Sequence, residues 1–146
     1  MPPWLERTPP LLDALVAMDL KFIGSARDIN TPISKDAQSN MSGLKNVSLI
    51  YPQMIHNKKL AHITSNFQAT SSIDRAIEII ENKGLLAIKA HIIKDACGCI
   101  SYDGLDEVYR TYLDELFTHL DERYGTSLWW TSMGEISSLM HKEALE

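Results

Sequence analysis

Lys83-Gly84-Leu85-Leu86-Ala87-Ile88-Lys89-Ala90-His91 is the stretch on which the fold turns. Its apolar residues follow a helix-ending glycine and precede the polar loop residues Lys94 and Asp95, so it reads as a buried strand. Strand alternation puts Leu85, Ala87, Lys89 and His91 on one face and Leu86, Ile88 and Ala90 on the other. The first face turns polar only at its C-terminal end, where α/β folds assemble sites from loops, and this makes His91 the first candidate for chemistry. The structural alternative is a strand-end histidine bonded to neighbouring backbone.

On the N-terminal side of this strand, Ser71-Ser72-Ile73-Asp74 has capping-box spacing, in which Ser71 and Asp74 each satisfy a backbone donor. Ile73, Ala76, Ile77 and Ile80 form the buried stripe of that helix, and Gly84 is its left-handed terminator. On the other side, Ile92 to Asp103 connects to the longest helix, from about Leu105 to Tyr124. Leu105, Val108, Tyr109, Tyr112, Leu113, Leu116, Phe117, Leu120 and Tyr124 fall on one of its faces. The opposite face is charged and reads as solvated surface. Gly125 ends the helix, and Ser127-Leu128-Trp129-Trp130-Thr131 reads as a last strand, with one indole in the core and the other at the surface or a groove. Ser132 and Glu135 open a terminal helix.

Further back, Thr8 as N-cap and Pro9 at the first helical position start a short helix with Leu11, Leu12, Leu15 and Met18 on one stripe. Lys21 to Ala26 predicts a strand and Arg27 to Pro32 the loop leaving it. Asp28, at that exit, is either part of a polar site or an Asx-turn cap. Ile33 to Asn46 is a long polar loop, Val47 to Tyr51 a short strand stopped by Pro52, and Gln53 to Thr70, containing His56 and His62, has no readable structure. Strands alternating with helices imply parallel strands and helical crossovers, an α/β architecture of about four strands. That count is few for a closed eight-stranded barrel.

At 146 residues the chain is one domain, 1–146, and its 45% hydrophobic and 23% charged content is ordinary for a globular protein. A net charge of −5 with no lysine or arginine block predicts no nucleic-acid partner, and apolar runs of strand length predict no membrane span. Met1 is followed by Pro2-Pro3-Trp4 and then charges rather than a secretory signal, and Cys97 and Cys99 are too close to pair readily. Both features predict a cytoplasmic chain with reduced thiols. A zinc site of His91, Cys97 and Cys99 falls outside the common ligand spacing and lacks a fourth ligand, so two free loop thiols are the better reading.

The order of Pro2-Pro3-Trp4-Leu5-Glu6-Arg7-Thr8-Pro9, Phe22-Ile23-Gly24-Ser25, the strand ending in His91, and Tyr124-Gly125-Thr126-Ser127-Leu128-Trp129-Trp130-Thr131 resembles the C-terminal half of the polysaccharide deacetylase (NodB-like, carbohydrate esterase) family. The resemblance covers nearly the whole chain. It implies parallel strands with alternating helices, as in the C-terminal half of an irregular (β/α) barrel. It also implies an N-deacetylase, a hydrolase of non-peptide carbon-nitrogen bonds, in which a divalent metal, zinc or cobalt, activates water against an N-acetylated carbohydrate or related amide. In that scheme His91 is the general acid that protonates the departing amine, and Pro3 and Trp4 line the substrate groove, Trp4 through its flat apolar face.

The chain departs from the family pattern at several points. The Asp-Asp and His-x-x-x-His motifs that supply metal and base are absent, since His56 and His62 are six apart and follow Pro-Pro-Trp. Met1 stands where the family has the arginine that supports its base, and Lys89 stands where the final Leu-x-His motif is apolar. The expectation is therefore half of an enzyme, beginning at an internal methionine or a truncated frame. Such a chain binds no metal itself and is inactive alone; its partners are the carbohydrate and a missing N-terminal half. The alternative is a non-catalytic remnant or interaction module whose unfinished strand edges pair with another chain or self-associate.

Overall fold

Pro9 opens the first helix, α1 (Pro9–Ala17), in the computed structural model, whose described residues are 9–24, 29, 31–35, 38, 47–90 and 107–145. Then follow β1 (Phe22–Ile23), β2 (Gln53–Ile55), β3 (Leu60–His62), α2 (Ile73–Glu81), α3 (Glu107–Tyr124), a 3-10 turn at Gly125–Ser127 and α4 (Met133–Ala144). The fold is mixed α/β. Its sheet has the order β1-β3-β2, with Phe22 parallel to Ala61 and Ile23 to His62, and Gln53, Met54 and Ile55 antiparallel to His62, Ala61 and Leu60. The parallel sheet expected from the sequence is therefore corrected to a mixed one. The antiparallel pair arises from a hairpin inside Gln53 to Thr70, where the sequence offered no Asn-Gly or Asp-Gly turn. Instead, His56, Asn57 and Lys58 all take positive φ (54°, 55° and 63°).

The strand expected at Val47–Tyr51 is also corrected. The Ser48 hydroxyl accepts from the N–H groups of Ile50 (3.2 Å) and Tyr51 (2.9 Å), a local turn that competes with ladder pairing. The segment is buried all the same, and Leu49 and Ile50 form one core cluster with Ile79. A second cluster joins Phe67 and Ala76 to Leu116 and Leu120 of α3. Leu86 packs against both clusters, so the stretch from which the fold was first read connects the two parts of the core.

The buried face of α2 carries Arg75, Ala76 and Ile79, rotated from the predicted stripe. Its N-cap is Ser72, whose hydroxyl accepts from Arg75 N–H at 3.1 Å, while the Ser71 hydroxyl accepts from Gln68 N–H at 3.0 Å. At the other end, Lys83 N–H donates to Ile80 O and Gly84 N–H to Ile79 O, both at 2.9 Å, a Schellman arrangement. Lys83, with φ 62°, is the left-handed residue, which corrects the assignment of Gly84. Gly84 is needed for a different reason: a Cβ there would lie 2.7 Å from Ile50 Cβ and 3.0 Å from Ile79 O. The two neighbours should thus respond oppositely. Lys83→Gly is expected to stabilise the chain by about 1 kcal/mol, and Gly84→Ala to destabilise it by about 1–3 kcal/mol. Urea unfolding midpoints check both, and a stabilising Gly84→Ala would refute the close approach.

On α3, Tyr109, Leu116 and Leu120 are buried as predicted, but Val108 is 78% exposed and Phe117 37% exposed. Gly125 ends the helix with φ 52°. The strand expected at Ser127–Thr131 does not form. With no ladder to alternate across, both indoles remain exposed, Trp129 at 62% and Trp130 at 54%, which corrects the expectation of one core ring. Ser132 caps α4 as predicted, accepting from Glu135 N–H at 3.2 Å. From α4, the Ser137 hydroxyl (3.4 Å) and His141 Nε2 (2.7 Å) reach the Lys21 carbonyl beside β1, which also accepts from Ala61 N–H at 3.0 Å. No helix among the described residues is long and apolar enough to cross a membrane.

Candidate functional site

Residues Leu85–Ala90 form the extended segment that leads to His91. It runs parallel to the chain around Phe67, through a bridge between Phe67 and Ile88 that is connected by α2. Lys89 N–H donates to Phe67 O at 2.8 Å, and Ala87 O accepts from Asn66 N–H (3.1 Å) and Phe67 N–H (3.2 Å). Asn66 supplies the rest of the alignment. Its Nδ2 donates to Leu49 O (2.9 Å) and Leu85 O (2.8 Å), and its Oδ1 accepts from Ala87 N–H (2.9 Å). A fully buried amide thereby stands in for ladder bonds that backbone alone would otherwise supply.

Charge reaches this region through Arg75, which is nearly buried and donates from Nε to Asn66 O (2.9 Å) and from Nη1 to Thr31 O (2.7 Å). Carbonyl oxygens accept from its guanidinium there, as suits a donor-only group taken out of water. Nearer His91, the Tyr109 hydroxyl donates to Lys89 O at 2.7 Å and ties the segment to α3. Tyr112, stacked on Phe67 at 6.2 Å between centroids, donates its hydroxyl to Ser71 O. Burial, and secondarily the Glu115 carboxylate, raise the Tyr112 pKa and keep the phenol protonated. At the far end of α2, Tyr124 donates to Glu81 at 2.7 Å with Arg123 alongside at 3.3 Å, and these two partners lower the Glu81 pKa.

The predicted site residues Pro3, Trp4, Asp28 and His91, and also Cys97 and Cys99, lie outside the described residues. The geometry therefore fixes the approach to His91 as far as Ala90. Among the described residues, no group of three or more His, Cys, Asp or Glu side chains is placed to hold a metal ion. His56 is paired with Asp13 at 2.6 Å, His62 is fully buried in β3, and His141 is bonded to Lys21 O.

Sequence reasoning missed Asn66 and Arg75. A signal existed: His62, Thr64, Asn66 and Gln68 place a polar side chain at every second position, and all are buried. This period of two marks an extended segment in which Thr64 bonds to Ser48 O, Asn66 to Leu49 O and Leu85 O, and Gln68 to Thr70, within the protein rather than to water. On the other side of Leu85–Ile88 are two clefts of about 370 and 270 Å³, which share Leu86, Ile88, Trp129, Trp130 and Ile136 as walls. Trp130 meets Phe117 edge-on at 5.3 Å. A hollow of about 660 Å³ lies beside α4, where the Lys21 ammonium is held by Asp19 at 2.6 Å.

These features define a mixed α/β chain with an anchored strand-like segment beside an apolar double cleft. No family model, curated protein or solved structure matches the chain.

Proposed function

We propose that the chain is a polysaccharide-deacetylase-like segment that acts on N-acetylated carbohydrate or a related amide only together with a polypeptide supplying the metal and base. The observation that carries the proposal is the anchoring of the segment at Lys89, two residues before His91: Lys89 N–H donates to Phe67 O and Lys89 O accepts from the Tyr109 hydroxyl. A general acid must be held in place relative to the leaving amine, and a backbone anchor two residues ahead of it in the chain suits that requirement. The parallel Phe67–α2–Ile88 connection is the kind of unit from which an irregular (β/α) barrel is assembled, which supports the barrel-half architecture as part of the same proposal.

When bound in the family site, the divalent metal supplies the activated water. In this chain, His91 would protonate the amine nitrogen as the carbon-nitrogen bond breaks, and Trp4 and Pro3 would line the sugar groove, with Asp28 a further polar contact. The 146 residues contain neither the Asp-Asp nor the His-x-x-x-His motif, so the chain alone should release no acetate from N-acetylglucosamine oligomers in zinc or cobalt.

Adding a polypeptide that carries those motifs, taken from a complete family member, should produce acetate release. His91→Ala should lower that rate by about 100-fold or more, the usual scale for a general acid. Release by the folded chain alone, or release in the mixture that is indifferent to His91→Ala, would sink the proposal.

A further inference from the structure

Among the described residues, one edge of Leu85–Ala90 is unpaired. In its parallel bridge, the groups that bond to Asn66 and Phe67 belong to Ala87 and Lys89, so the N–H and C=O of Ile88 point to the opposite edge. Leu86 follows the same alternation, because Leu85 O and Ala87 N–H are both held by the Asn66 side chain. Neither Leu86 nor Ile88 has a backbone hydrogen bond among the described residues.

The far wall of the clefts does not close this edge. Leu128 is extended (φ −93°, ψ 139°) and so is Ser132 (φ −117°, ψ 159°), yet Trp129 and Trp130 between them belong to no strand and have no backbone hydrogen bond among the described residues. Two half-buried apolar residues with unused backbone donors and acceptors thus face a gap walled by indoles. Among the described residues, Lys83 is the charged one in the walls, and no carboxylate lines either cleft.

We propose that this edge is a strand-addition site for an extended peptide with apolar side chains at alternate positions and an acidic residue at the end nearest Lys83. Main-chain hydrogen bonds to Leu86 and Ile88 supply the affinity, the clefts receive alternate side chains, and the Lys83 ammonium sets the direction. This inference does not rest on the hydrolase proposal.

The test titrates the full chain with the peptide acetyl-Glu-Val-Thr-Val-Thr-Val-amide and with two N-methylated forms, methylated at alternate sets of residues. Tryptophan fluorescence reports binding, and amide hydrogen exchange reports Leu86 and Ile88. The expected result is a saturable change with about tenfold slower exchange at both amides. One N-methylated form should bind about tenfold more weakly than the other, the cost of a lost hydrogen bond to a desolvated edge. Lys83→Glu should weaken the acidic peptide and favour a lysine-ended one. Absence of saturable binding would overturn the proposal, as would equal binding of the two N-methylated forms, which signifies apolar contact alone. Exchange protection that rises with protein concentration in the absence of peptide would also overturn it, because a second copy then occupies the edge.

Discussion

Replacing Asn66 with leucine should cost on the order of 4 kcal/mol, a large share of the stability of a domain this size. The side chain is of similar bulk, so the loss is one of hydrogen bonding. Leu49 O and Leu85 O lose their Nδ2 donor, and Ala87 N–H loses its Oδ1 acceptor. Each group stays shielded from water, and each unsatisfied group costs about 1–3 kcal/mol. Asn66→Asp separates the contributions: it retains an acceptor for Ala87 N–H but turns an anionic oxygen on two carbonyls, so it too should be destabilised near neutral pH. Urea unfolding of both variants checks the expectation. A loss under about 1 kcal/mol for Asn66→Leu would mean that water reaches these groups and that the alignment of Leu85–Ala90 does not depend on the amide.

Phe67→Ala is the second large effect, at about 3–5 kcal/mol. Phe67 is fully buried, packs with Ala76, Leu116 and Leu120, and stacks on Tyr112 with an interplanar angle of 11°. Removing the ring leaves a cavity between α2 and α3, which fixed helices cannot collapse to fill, and takes away the aromatic contact as well. Phe117→Ala is the control, because that ring is 37% exposed and should cost under about 1.5 kcal/mol. Thermal unfolding of the pair gives the comparison. Equal losses would place Phe117 in the core, as helical periodicity alone had suggested.

That contrast shows where the sequence was informative. Helices announced themselves: the Ser132 cap, the Gly125 terminator and the Tyr109, Leu116 and Leu120 stripe are local features, fixed by residues within a turn or two of one another. Pairing was harder to read. The Val47–Tyr51 run has strand composition, but the hydroxyl of Ser48 captures two of its amides. The β2–β3 hairpin turns through three positive-φ residues that carry none of the usual turn glycine. Trp129 and Trp130 look like strand residues until it is known that no strand among the described residues pairs with them. At the candidate site, the approach to His91 was legible because apolar alternation marks it. Asn66 and Arg75 were not, since a buried polar residue and an exposed one look alike until their partners are known.

The Lys21 carbonyl has a consequence for the order in which the chain is made. Its donors from α4, Ser137 and His141, come 116 and 120 positions later in the sequence, and Ala61 supplies the third hydrogen. A chain growing from its N-terminus therefore produces β1 early but finishes securing it only after α4 has left the ribosome. Closing a loop of that length before the intervening contacts form is slow and entropically costly. Throughout that interval β1 lacks its α4 contacts, and its edge is the one a neighbouring nascent chain could pair with.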